Sequence, residues 1–131
     1  MTPFGSLDFL YIPSRDVAAG VRRFTEELGA EAVFAIEAFG ARVAMVRLSD
    51  EPPAVVLADH LEGERPILVY RVEDLDAASS ALADRGRDPG RELGMPHGPC
   101  YSFELPGGHR IAIYQLTRPG ADQRLGGRFD F

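Results

Sequence analysis

An acidic residue stands directly before an amphipathic run twice in this chain, at Asp16 and at Asp74, and this 58-residue repeat constrains the fold more than any other feature. Behind Asp16, the residues Val17, Val21, Phe24 and Leu28 recur at helical spacing, a single apolar stripe that Gly29 ends. Behind Asp74, Leu75, Ala78 and Leu82 do the same as far as Gly86. Each aspartate is placed as an N-cap, its carboxylate free to accept from first-turn amides. Each helix is preceded by a run rich in branched and aromatic residues, 7–13 and 66–72, which predicts a strand. The offset that superposes the caps also pairs Val17 with Leu75, Phe24 with Leu82 and Phe9 with Ile67. Identity between the halves is faint, so the repeat lies in the order of elements.

The rest of each half continues as strands. Residues 31–39 and 41–48 flank Gly40 as a hairpin, and Ala54 to Ala58 follow the turn signal Ser-Asp-Glu-Pro-Pro. In the second half, a short irregular strand is expected between Asp88 and Gly98. Cys100 to Leu105, a Pro-Gly-Gly turn at 106–108 and His109 to Leu116 come next. The expected architecture is α+β, with two tandem βαβββ modules at about 6–60 and 64–117 in a single domain of residues 1–131. Residues 118–131 form a tail whose Phe129 and Phe131 would be costly to leave in water, so it is expected to pack on its own barrel or on a partner.

Composition narrows the class. Hydrophobic residues at 45% and charged residues at 26% are ordinary for a globular domain. A net charge of -6 disfavours nucleic acid, which needs a basic stripe. Arg110, Arg118, Arg124 and Arg128 cluster late in the chain but are interspersed with Gly and Asp, and read as a solvated tail. The apolar runs fall far short of the ~20 residues that cross a bilayer. The first five residues lack the basic and apolar regions of a signal peptide. Cys100 is the sole cysteine, which excludes an intrachain disulfide and a zinc–thiolate cluster. A cytoplasmic location, with no nucleic-acid or membrane partner, is expected.

The closing hairpin, Gly-Gly-His-Arg-Ile-Ala-Ile-Tyr, sits in this order of elements with Arg-Asp-Val-Ala-Ala-Gly-Val-Arg-Arg-Phe-Thr-Glu-Glu-Leu-Gly at 15–29 and Val-Glu-Asp-Leu-Asp-Ala-Ala at 72–78. Over residues 6 to 116 the chain thereby resembles the vicinal oxygen chelate superfamily, which includes glyoxalase I, extradiol dioxygenases, fosfomycin-resistance enzymes and bleomycin-resistance binding proteins. The resemblance implies a cupped mixed sheet, each module supplying half. In the enzymes the cup holds a divalent metal bound by His or Gln from the first strand, His from the fifth and Glu from the eighth. Aligning the elements puts those positions at Phe9, Ile67 and Ala112, none of which has a lone pair to offer. Among their neighbours only Asp8 could ligate, and a one-residue slip turns a strand side chain to the opposite face. Neither a metal nor another cofactor is therefore expected.

Period-2 alternation from these positions turns Tyr11 inward with Phe9, Val69 and Arg71 with Ile67, and Arg110 and Tyr114 with Ala112. Likeness to the fosfomycin-resistance proteins adds Cys100, Ser102 and Glu104. The candidate ligand-binding residues are Phe9, Tyr11, Ile67, Val69, Cys100, Ser102, Ala112 and Tyr114. They suit a small, partly aromatic molecule, and they would equally serve as barrel core. Cys100 reads as a small buried hydrophobe rather than a nucleophile, and Glu104 lies beside a turn. His60, His97 and His109 read as solvated loop residues, with His97 of interest because it precedes a pocket strand. No catalytic residue is assigned. The leading expectation is metal-independent binding of a small molecule, to sequester or sense it. The alternatives are a glyoxalase- or dioxygenase-like enzyme with an atypical or metal-free site, and a partner module with a closed cup. A homodimer is expected, since twofold pairing is the commonest symmetry.

Overall fold

The computed structural model describes residues 3–38, 40–87 and 90–131. The elements run β1 (Leu7–Pro13), α1 (Val17–Leu28), β2 (Glu31–Ala38), β3 (Ala41–Arg47), β4 (Ala54–Ala58), β5 (Ile67–Val72), α2 (Leu75–Asp84), β6 (Arg91–Glu92), β7 (Cys100–Leu105), β8 (His109–Gln115) and α3 (Ala121–Leu125). The expected ends at Phe39, Asp88 and Pro89 fall outside the described residues. The 58-residue repeat holds to the level of donor and acceptor: Asp16 accepts from the Ala19 amide at 3.0 Å, and Asp74 accepts from the Ala77 amide at 3.0 Å.

All eight strands form one sheet in the order β2-β3-β4-β1-β5-β8-β7-β6. Each half is a strand followed by a helix and a three-strand meander whose last member returns parallel to the first, β4 on β1 and β8 on β5. The halves join where β1 and β5 pair antiparallel, with Phe9 opposite Val69 and Tyr11 opposite Ile67. This is the α+β, cupped mixed sheet of two βαβββ units. The five residues of β4 are buried throughout, because the strand is central and covered on both faces.

The helices cover the outer face. Val17 on α1 packs with Ala44, Val46, Val55 and Leu57. Gly20 makes this approach possible, since a Cβ there would stand 2.9 Å from the Leu57 methyl. Leu28, expected in the apolar stripe, is instead 62% exposed at the helix end, where the left-handed Gly29 turns the chain away. The shorter α2 covers Val72 and Ile113 through Leu75 and Ala78.

The inner face carries the largest cluster, which includes Phe9, Tyr11, Phe34, Met45, Ile67 and Tyr114. Met95, in the loop before β7, is buried among these side chains, and Leu93 and Leu125 pack on them from the rim. The cup is thus largely filled by its own chain. The tail is ordered, contrary to a reading of it as solvated. Backbone bonds from Gly127 to Val33 (2.9 Å), Ala35 to Arg128 (2.9 Å) and Asp130 to Ala35 (2.7 Å) lay it along the free edge of β2. Phe131 packs on the α1 side with the Arg42 guanidinium 4.6 Å from its ring centre, whereas Phe129 stays half exposed. An uncovered edge would offer unpaired amides and carbonyls to another chain. The opposite edge, β6, is only two exposed charged residues long. None of the described helices is long and apolar enough to cross a membrane.

Candidate functional site

Asp8 stands alone as an acid in the apolar run of β1, yet it is only 6% exposed. Alternation from Phe9 predicts that its side chain faces the other way. The pairing of β1 with β5 shifts register between Leu7 and Phe9, and this irregularity lets Asp8 and Phe9 line the same cleft. Asp8 accepts from the Ser6 hydroxyl at 2.6 Å, from Arg71 Nε at 2.8 Å and from the Tyr114 hydroxyl at 2.5 Å. Burial by itself would raise its pKa, but the donors of Ser6, Tyr114 and Arg71 outweigh that and hold the carboxyl below its ordinary value. The Asp8 hydrogen bond raises Arg71 in turn, and burial followed by the bond to Asp8 raises Tyr114. At neutral pH the trio is a carboxylate, a guanidinium and a phenol whose proton is committed to Asp8.

A second polar group faces the first across the cleft. Asp122 of α3 accepts from Arg47 of β3 at 2.9 Å and lies 2.6 Å from His97 Nε2. A carboxylate can only accept, so Nε2 is the donor, and Nδ1 of a neutral ring is left as an acceptor. That Nδ1 is buried and has no partner among the described residues. The imidazole rests on Phe9 at 4.6 Å between ring centres, and Phe9 meets Tyr114 at 5.5 Å. His97 is therefore no solvated loop residue: it is 4% exposed, held down by Asp122 and by the aromatic pair. Its backbone carbonyl also takes the Thr117 and Arg118 amides, which ties its loop to the chain leaving β8. Arg118 donates to the Pro96 and Met95 carbonyls from the same segment, and so does not belong to a solvated arginine tail. Between the two polar groups lies a cleft of about 230 Å³.

Of the candidate residues, Phe9 and Tyr114 meet at this cleft. Ser102 lies elsewhere, in a broader cleft of about 800 Å³ at the other end of the cup. Tyr11, Ile67, Val69, Cys100 and Ala112 are at most 1% exposed and fill the inner core. The Tyr11 hydroxyl is satisfied by the Gly94 carbonyl at 3.3 Å. Burial pushes the Cys100 thiol up to about 12, which leaves it protonated and unreactive at neutral pH. Glu104 and His109 are exposed, as their positions beside the turn predict, and His60 is also exposed. A third cleft, of about 680 Å³, lies on the outer face between α2 and the β7–β8 hairpin and is largely apolar.

The divalent ion of the metal-dependent superfamily members does not fit these residues. Phe9, Ile67 and Ala112 put only carbon into the inner face, and Asp8 is engaged by its three donors. Among the described residues, no three His, Cys, Asp or Glu side chains come together as a ligand set.

No family model matches the chain, and no curated protein matches it. Solved structures do. Methylmalonyl-CoA epimerase from Mycobacterium tuberculosis superposes with a TM-score of 0.72, at 20% identity over 92% of this chain and 94% of that one. A glyoxalase/bleomycin resistance protein/dioxygenase superfamily member from Vibrio splendidus 12B01 gives 0.61, at 12% identity over 82% of this chain and 96% of that one. The 2,3-dioxygenase LapB from Pseudomonas sp. KL28 gives 0.59 at 16% identity, covering 84% of this chain and 42% of the dioxygenase.

Proposed function

We propose that this chain, whose fold is that of the vicinal oxygen chelate superfamily, binds a small organic molecule without a metal ion, in the cleft beside Phe9 and Tyr114. The observation that carries this reading is the buried Asp8 carboxylate at the cleft wall, held by the buried Tyr114 hydroxyl and by the half-exposed Arg71. A buried carboxylate costs stability unless donors surround it, and well-packed apolar residues often replace such a group at no cost. A carboxylate kept in a strand-rich core, beside an arginine whose side chain is 47% exposed, is better explained by the ligand it faces. The cleft holds about 230 Å³, against the roughly 150 Å³ of a cavity that takes up benzene. That is room for one substituted ring, which would lie beside Phe9 while the half-exposed Arg71 meets a polar substituent.

A thermal-shift screen of catechols, thiol adducts and single-ring aromatic acids and amines tests the reading. A ligand bound only by the native chain stabilises it by RT ln(1 + L/Kd), L being the free ligand concentration, so Tm keeps rising with ligand concentration above Kd. At least one compound should raise Tm in a concentration-dependent way in the parent protein and fail to do so in Arg71→Gln. No concentration-dependent shift across the set, or one divalent ion per chain in the purified protein, would refute it. The same reading carries a twofold homodimer, which light scattering of the purified chain would measure.

A further inference from the structure

At the other end of the cup, four arginines from four separate segments border the cleft of about 800 Å³: Arg65 before β5, Arg87 after α2, Arg91 in β6 and Arg110 in β8. We infer that this cleft is a second binding site, for a small anion bearing carboxylate or phosphate groups. It is distinct from the Phe9 cleft and does not depend on that cleft's function.

The argument starts from what the guanidiniums do not contact. Arg65 donates to the Gly107 carbonyl at 2.9 Å, Arg110 to the Arg65 carbonyl at 2.7 Å, and Arg87 to the Glu104 carbonyl at 3.3 Å. Among the described residues, none of these three has a carboxylate within 4.0 Å. A carbonyl orients a guanidinium but does not neutralise it, and each of these groups has five N–H donors to place. Glu62, Glu64 and Glu104 share the lining, and Glu104 stands opposite Arg110 in the β7–β8 register. Among the described residues, however, only Glu62 comes within 4.0 Å of one of these arginines: it is 3.5 Å from Arg91, with both side chains more than four-fifths exposed. A pair so solvated holds neither partner in place.

Glycines shape the cradle. A Cβ on Gly108 would stand 2.0 Å from Arg65 Nη1, and one on Gly63 would stand 3.2 Å from Arg110 Nη1. The two guanidiniums therefore lie against bare backbone, anchored on one side and open to the cleft on the other. Ser102 adds a hydroxyl to the lining. Planar forks held in this way match the paired oxygens of a carboxylate or phosphate. Four arginines against three glutamates leave the lining one positive charge in excess, a local arrangement in a chain whose net charge is -6.

Calorimetric titration of the full chain with pyrophosphate and with citrate, at low ionic strength, tests the site. Saturable binding of either probe is expected, and the tighter of the two identifies the favoured group. Arg110→Gln and Arg87→Gln should each weaken it about tenfold, the loss expected for one charge-assisted hydrogen bond. Two variants on different segments guard against a local refolding effect. Arg23→Gln on the outer helix should bind as the parent does. The inference is overturned if neither probe binds saturably, if both cleft variants bind as the parent does, or if Arg23→Gln loses as much as they do.

Discussion

Replacing Asp8 by alanine tests whether the buried network is a cooperative unit. Breaking a buried pair by removing one member costs about 3–5 kcal/mol when the survivor stays buried. Arg71 does not stay buried: its side chain is 47% exposed and can rehydrate. Tyr114, at 1% exposed, cannot, so its hydroxyl would be left unsatisfied at about 1–3 kcal/mol. The net expectation for Asp8→Ala is a loss of about 2–3 kcal/mol. Asp8→Asn keeps the shape and an acceptor for Tyr114, and should lose about half as much. Tyr114→Phe removes the orphaned hydroxyl itself, so the double variant should be more stable than the sum of single losses predicts, by about 1 kcal/mol. Urea unfolding at pH 7 reads these values. With a slope of roughly 1.5 kcal/mol per molar for a chain of this size, Asp8→Ala should unfold about 1.3–2 M earlier. A midpoint within about 0.3 M of the parent, or strictly additive single losses, would refute the reasoning.

Other consequences can be checked on the same protein. The Asp8 pKa is lowered in the fold, so its stabilisation is complete above the ordinary carboxylate value of about 4 and is lost as pH falls through the lowered one. The stability difference between parent and Asp8→Asn should hold from pH 8 to 5 and shrink towards pH 3; a constant difference down to pH 3 would contradict this. Cys100 is fully buried with its thiol pushed up to about 12, so a thiol-specific disulfide reagent should label it only as the chain unfolds. Native-state labelling at the rate of free cysteine would contradict that placement. Deleting residues 118–131 removes Asp122 from His97 and Arg47 and uncovers the β2 edge. A loss of at least about 2 kcal/mol and association that grows with protein concentration are expected. Unchanged stability and a concentration-independent mass would show that the tail holds nothing in place.

The sequence by itself determined the repeat and the order of elements, because caps, apolar stripes and strand runs are local properties that a few neighbouring residues set. Asp16 and Asp74 cap their helices through the same amide, and Phe9, Ile67 and Ala112 face inward as alternation requires. The composition of the candidate site was less legible. Asp8 signals itself as an isolated acid in an apolar strand, with Arg71 sixty-three residues later, but alternation turns it outward and only the register shift beside β5 brings it in. His97 has no local signal at all, since its burial depends on Asp122, 25 residues away in a helix folded back over the cup. The arginine cleft is equally silent in sequence, its members being drawn from four segments that only the sheet order brings together. Whether an inward side chain lines a cavity or fills it was likewise decided by what the tail and the loop before β7 place opposite it. Alternation gives a side chain its direction; the space in front of it belongs to distant parts of the chain.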